Sequence, residues 1–361
     1  MTSAPEKSTV LVTGAAGFIG SAFVRKLLAE GHPVISVDKL SYAADLRRLP
    51  QDGTVARHRF IEAAVEDGPA MRALLRESRP RAVVHFAAES HVDRSIDAPR
   101  AFLENNTTGT FELLEACLGH FREELSEPER NTFRLLHVST DEVYGAASER
   151  AFTEDDAILP NSPYAASKAA AEAFVRAYHR TYALPTLVAR PANTYGPWQF
   201  PEKLIPLMIA RALDGEDLPV YGDGLQRREW LFLNDHCAGI AAVLNRGTPG
   251  QAYNLAGFED AQNLAVVRAI CAILDTLRRK SDGRSYAAQI RHVTDRPGHD
   301  RRYAIDPSRS ARDLDWQAST PLEDGLRRTV EWYLENESWW RDVMAARYGG
   351  ERLGVAEMDK A

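Results

Sequence analysis

The chain has 361 residues, of which 44% are hydrophobic and 26% charged, with a formal net charge of −7. These values suit a folded chain of two domains and exclude a disordered polypeptide. Acidic and basic residues are mixed, without the Lys/Arg run that nucleic acid or an anionic membrane surface would require. No stretch reaches the ~20 apolar residues of a membrane-spanning helix. The cysteines Cys117, Cys237 and Cys271 lie far apart in apolar surroundings and form neither a disulfide framework nor a metal-ligand spacing, so no metal site is expected. The polar start MTSAPEKS lacks the apolar core of an export signal, and a cytoplasmic protein is expected.

Val10-Leu11-Val12 is a β-branched run ending at Thr13-Gly14 and reads as a buried strand. From Phe18 to Glu30 the apolar residues Ile19, Phe23, Leu27 and Leu28 follow helical spacing, and Gly31 stands where a C-cap glycine belongs. Val34 to Val37 is a second strand, closed by Asp38. Ala82 to Phe86 and Phe133 to Val138 are further strands, with helical stretches near 68–77 and 99–120 between them. This alternation predicts an α/β fold, a Rossmann-type doubly wound parallel sheet. Phe121 to Thr132 reads as an exposed connection and Arg278 to Ala288 as a polar linker. The pattern breaks up around Tyr195-Gly196-Pro197. The expected division is a cofactor domain over 1–192, a mainly substrate-binding domain over 193–345 with some segments returning to the first, and a tail over 346–361.

Gly14-Ala-Ala-Gly17-Phe18-Ile19-Gly20 follows the first strand and opens the first helix. Glycines are needed there for the tight turn, for close approach of backbone to a pyrophosphate, and for helix-on-strand packing. The helix start adds unpaired N–H groups and the positive end of the dipole. Asp38 lies 18 positions after Gly20, against the ~20 expected of an acid that accepts from both ribose hydroxyls. A carboxylate there repels a 2′-phosphate, which favours NAD over NADP.

Tyr164 and Lys168 are four apart in a helix started by Ser162 and Pro163, so they share a face. A phenol with a pKa near 10 is a weak base until a neighbouring cation favours its phenolate. Tyr164 could then take a proton from a sugar hydroxyl as hydride leaves for NAD. Asp141 and Glu142 follow the strand that ends at Val138. Like charges side by side separate in pKa and leave one acid and one base, the pair that water elimination from a ketosugar needs.

Thr140-Asp141-Glu142-Val143-Tyr144-Gly145 resembles the signature of the dTDP-glucose 4,6-dehydratases. So do Ala87-Ala88-Glu89-Ser90-His91 through Ile96, Tyr195 through Pro206, and Asp295 through Asp300. The Gly-x-x-Gly-x-x-Gly turn and Phe86-Ala87-Ala88 are similar to extended short-chain dehydrogenases/reductases as a whole. The resemblance runs from about residue 9 to 340. It implies Thr140 orienting the sugar, Asp141 as general acid and Glu142 as general base, with hydride returned to C6 so that no NAD is consumed. It also implies substrate contacts from Ser90, Asn193, Lys203, Arg228, Asn263 and Tyr303, and a homodimer built through a four-helix bundle from helices near 99–118 and 163–181. Lys203 and Arg228 suit a diphosphate, and Tyr221 could stack on a pyrimidine. Some positions depart from the family pattern: Ala192-Asn193-Thr194, Ala64, Ala43-Ala44-Asp45, and Arg227 and Glu229 around Arg228. They bear on nucleotide and sugar preference. The alternatives are dehydration of a UDP- or another NDP-hexose, or a 4-epimerase or decarboxylase on the same fold. UDP-glucose 4-epimerases lack the Asp-Glu pair.

Overall fold

The computed structural model describes residues 7–50, 56–295 and 298–348. Residues 1–6 of the polar start, Arg296 and Pro297 of the Asp295–Asp300 motif, and 349–361 of the expected tail lie outside the described residues.

The strands in chain order are β1 (Val10–Thr13), β2 (Val34–Asp38), β3 (His58–Glu62), β4 (Ala82–His85), β5 (Arg134–Val138), β6 (Thr186–Pro191), β7 (Asn193–Tyr195), β8 (Leu218–Tyr221), β9 (Arg227–Phe232), β10 (Ala252–Leu255), β11 (Asp260–Gln262) and β12 (Ile290–Val293). Seven of them form one sheet in the order β10-β6-β5-β4-β1-β2-β3, parallel throughout. Every residue of β1, β2 and β4 is buried, as a sheet covered by helices on both faces demands. The chain runs outward from β1 through β2 and β3, then restarts at β4 on the other side. Loops leaving β1 and β4 therefore part, and they open a crevice at the carboxyl ends of these strands.

The later chain is divided in space. The Leu233–Arg246 helix and β10 pack on the large sheet. The remainder forms a second core in which Tyr195, Trp230, Phe232 and Val267 meet Leu326, Trp339 and Trp340. Its small sheets, β11-β9-β7 and β12-β8, lie beside the crevice.

Two segments differ from the sequence expectation. The connection after Phe121 contains a short helix, Glu127–Thr132, closed by a Ser126/Glu129 capping box, although none of its residues is buried. The helix expected over 99–120 is interrupted at Leu103–Thr108 by a wide turn of π type. Such a turn inserts a residue and rotates the helix face. Here it turns Asn106 and Thr107 towards Ser167 of the neighbouring helix.

Candidate active site

The glycine turn is built as its spacing predicts. Gly14 has φ +65°, and a Cβ there would lie 2.6 Å from the Ala87 amide nitrogen; a Cβ on Gly20 would lie 2.1 Å from the Gly14 carbonyl oxygen. Only glycine permits both the left-handed backbone and the contact. Asp38 ends β2 buried, its Oδ2 accepting from the Ala16 amide at 2.9 Å and its Oδ1 from the Leu40 amide at 2.8 Å. Burial raises its pKa, opposed by those two amides. Each oxygen keeps a lone pair for another donor. Gly14, Gly17, Phe18, Ile19, Gly20, Asp38, Ala87, Ala88, Tyr164 and Lys168 all line one cleft of about 350 Å³. The backbone approach at Gly14 and the buried acid at the end of β2 are the features a dinucleotide requires, so the residues present fit NAD.

Thr140, Asp141 and Glu142 line the same cleft, just past the end of β5. Thr140 caps the single turn Asp141–Tyr144, its Oγ1 accepting from the Glu142 amide at 3.3 Å and donating to Asp141 Oδ1 at 3.2 Å. Asp141 is 3% exposed, and its Oδ2 makes no hydrogen bond. Burial lifts its pKa well above the usual carboxylate range, with Glu142 and then Glu229 adding to the effect and Arg228 and Thr140 opposing it. Glu229 is itself pushed up to about 7 by burial. Burial and its acidic neighbours thus favour the protonated form of Asp141.

Ser162 Oγ accepts from the Ala165 amide at 3.1 Å and starts the Pro163–Tyr182 helix, which carries Tyr164 and Lys168 one turn apart. Lys168 is buried, like Tyr164. Its Nζ donates to the Val138 carbonyl at 2.7 Å. Burial lowers its pKa to about 7, opposed by Glu172 one turn further on. Tyr164 is pushed up, first by burial and then by Glu142, while Thr140 opposes through a hydrogen bond. Without a bound cation the phenol therefore keeps its proton.

A buried chain of hydrogen bonds joins these parts. Thr13 Oγ1 lies 2.7 Å from His85 Nδ1, and His85 Nε2 lies 3.0 Å from Thr110 Oγ1. Thr110 donates to the Asn106 carbonyl, so it must accept from His85 Nε2–H, which fixes His85 as the neutral Nε2–H tautomer. Burial agrees, lowering its pKa to about 3. Asn106 binds the Glu89 backbone on both sides and donates to Ser167 Oγ at 2.9 Å. Ser167 in turn donates to the Tyr164 carbonyl at 2.7 Å. The loop after β4 and the tyrosine helix are therefore held in one register.

A second cleft, of about 190 Å³, adjoins the first and shares Glu142, Asn193 and Lys203 with it. Lys203, Tyr221, Arg228, Asn263 and Tyr303 line it. Ser90 lines the first cleft, and its carbonyl accepts from Lys203 Nζ at 2.7 Å. Arg228 is buried, stacks over Tyr303 at 4.2 Å and donates to the Asp300 carbonyl at 2.9 Å. Tyr221 donates to Asp93 at 3.3 Å. The side-chain oxygens of Asn193 and Asn263 are buried without a hydrogen bond and face a cleft, where a ligand donor would satisfy them. Sequence reasoning missed Glu89 and Glu202 in the first cleft and Asp93 in the second. All three stand inside the motifs that carry the family resemblance, but only the fold shows that they line the clefts. Among the described residues no group of three or more His, Cys, Asp or Glu could hold a metal ion, and no helix is long and apolar enough to cross a membrane.

Comparison with known proteins agrees with this geometry. The family model described as GDP-mannose 4,6 dehydratase matches residues 11–329. A dTDP-glucose 4,6-dehydratase of Xanthomonas campestris is 51% identical over 349 residues, covering 96% of this chain and 99% of the relative. The crystal structure of a dTDP-glucose 4,6-dehydratase from Streptomyces venezuelae with NAD and TYD bound superposes with a TM-score of 0.83 at 43% identity, covering 93% of this chain and 99% of that one. A UDP-glucose 4-epimerase from Thermotoga maritima shares the fold at a TM-score of 0.80 but only 27% identity, covering 91% of this chain and 99% of that one. The glycine turn, the buried acid pair and the tyrosine helix thus occur in a chain that belongs to the dTDP-glucose 4,6-dehydratase family of extended short-chain dehydrogenases/reductases.

Proposed function

We propose that the chain is an NAD-dependent dTDP-glucose 4,6-dehydratase, converting dTDP-glucose to dTDP-4-keto-6-deoxyglucose with net loss of water across C5 and C6. The observation that carries the reading is the pair of neighbouring buried carboxyls, Asp141 and Glu142, in one cleft with Tyr164 and the glycine turn. When bound, NAD supplies the hydride acceptor for C4 and the donor for C6.

The chain's own groups do the rest. The open backbone amides at the helix start, Phe18, Ile19 and Gly20, would meet the pyrophosphate of NAD, Gly14 and Gly17 would let it approach, and Asp38 would accept from its ribose hydroxyls. Ala87 and Ala88, small at the exit of β4, leave room for the cofactor. Tyr164 accepts the proton of the C4 hydroxyl, with Thr140 orienting the sugar and Lys168 favouring the phenolate electrostatically. The resulting ketone acidifies C5, and Glu142 removes that proton. Asp141, favoured in its protonated form, delivers its proton to the C6 hydroxyl, which departs as water, and Glu142 gives its proton back to C5 as C6 is reduced. Lys203 and Arg228 hold the diphosphate, Tyr221 stacks on the base, and Ser90, Asn193, Asn263 and Tyr303 complete the substrate contacts.

The chain works as a homodimer in the cytoplasm. Leu103, Phe174 and Tyr182 leave large apolar surfaces exposed on the two helical stretches 99–119 and 163–182, which supports a four-helix bundle between copies. Three free buried cysteines support a reducing compartment. Residues 1–192 serve the cofactor and 193–345 mainly the substrate. The test is to incubate the protein with dTDP-, UDP- and CDP-glucose in turn and weigh the products. A product lighter by one water, formed fastest from the dTDP sugar, is expected; an isomer of unchanged mass contradicts the reading.

A further inference from the structure

The C-terminal helix Glu337–Arg347 stands outside both clefts, yet it is fastened to a loop that lines one of them. Ala43 and Ala44, beside Asp38, line the cofactor cleft. The next residue, Asp45, is 5% exposed; its Oδ2 accepts from Trp339 Nε1 at 2.9 Å, across 294 positions of sequence. Arg48 is 1% exposed and lies over the Trp339 ring at 5.3 Å. Its Nη1 donates to the carbonyls of Ala43, at 2.6 Å, and Ala16, at 3.1 Å. Ala16 lies within the glycine turn, and its carbonyl also accepts from the Asp45 amide at 2.9 Å. Two further contacts run parallel: Arg47 to Asp342 at 3.2 Å, exposed, and Arg347 to the Ala44 carbonyl, part-buried.

Arg48 is an expensive way to fill this space. Its Nε and Nη2 are buried without a hydrogen bond, and burial lowers its pKa to about 10. A buried, partly satisfied charge is weak support for stability, and an apolar side chain of similar volume would serve packing as well. What the guanidinium alone provides is a joint between three elements: the glycine turn, the ribose-side loop and the C-terminal helix.

We propose that Arg48 and Trp339 are positioning residues for the cofactor, clamping loop 41–48 onto the glycine turn so that NAD is retained through the whole cycle. The proposal rests on the assignment of this cleft to NAD. The chemistry supplies the need: hydride taken from C4 must return to C6 of the same sugar, and escape of the reduced cofactor between the two steps would strand a ketosugar. An enzyme that only oxidises has no such requirement.

The test measures NAD carried through purification and the NAD Kd by titration, for wild type, Arg48→Met and Trp339→Phe. Arg48→Met keeps the stem and removes the donors; Trp339→Phe keeps the ring and removes the N–H. Each is expected to weaken NAD binding about tenfold, equivalent to about 1.4 kcal/mol. Less NAD co-purifies, and more free NADH appears during turnover than with wild type, because the reduced cofactor leaves before its hydride returns to the sugar. NAD affinity equal to wild type in both variants, or weaker affinity with no extra NADH released during turnover, overturns the proposal. Should Trp339→Phe fold poorly, Arg347→Met, at the exposed end of the same clamp, reads the same link and must also raise Kd. Wild-type protein that binds no NAD would instead sink the assignment of the cleft.

Discussion

Replacing Asp141 by Asn separates the carboxyl's protonation from its shape. The side chain is 3% exposed, and burial together with Glu142 and Glu229 raises its pKa well above that of a free aspartate. A raised folded-state pKa means that the native protein holds the proton more tightly than the unfolded chain. The associated stability is complete below the unfolded pKa near 4 and is lost as pH climbs towards the folded value. Within that window the loss is at most about 1.4 kcal/mol per pH unit. Asparagine has the same outline and does not titrate. Urea titrations of both proteins at rising pH should therefore show the stability difference moving in the variant's favour above pH 4, by at most about 1.4 kcal/mol per unit. Turnover should drop about 10²- to 10⁴-fold, since the amide cannot hand over a proton. Stability profiles that stay parallel across this range would refute the claim that the fold favours protonated Asp141.

Other consequences follow from the same geometry. Burial lowers Lys168 to about 7 and Glu172 opposes that, so Glu172→Gln should bring it lower still. Because the charged lysine is the useful form, the alkaline limb of the pH–rate profile should move down by up to about one unit; an unmoved limb would show that Glu172 serves only its buried ion pair with Arg190. Asp38→Ala removes an acceptor for two ribose hydroxyls and should raise the NAD Kd about 10- to 100-fold, at about 1.5–3 kcal/mol for charge-assisted hydrogen bonds, as read by titration. Phe174, 40% exposed and set against Phe111, should lie between copies, so Phe174→Asp should shift the mass measured by light scattering from dimer to monomer.

The parts of the site legible in the sequence are those whose chemistry is local. The glycine turn needs residues without a Cβ, Asp38 needs only to end the second strand, and Thr140 to Glu142 follow a strand directly. Tyr164 and Lys168 share a helix face by spacing alone. The alternating strands likewise announced the parallel sheet. What stayed hidden depends on contacts between distant segments. No local pattern shows that β10 returns to the large sheet beside β6, because a four-residue apolar strand can pair at any open edge. The wide turn that aims Asn106 at Ser167 breaks helical period by a single residue. Lys168 was legible as a neighbour of Tyr164, but not as a donor to the Val138 carbonyl, and this contact decides how its charge acts. The third carboxylate, Glu229, arrives beside the Asp141 pair from β9.

The central claim is that hydride leaves C4, water leaves across C5 and C6, and the hydride returns at C6 while Tyr164, Glu142 and Asp141 handle the protons. The most direct measurement supplies dTDP-glucose carrying deuterium at C4 and maps the label in the product. A 4-keto-6-deoxy sugar lighter by one water, with the deuterium on C6, is expected. Deuterium still at C4 of a product that has lost no water would contradict it.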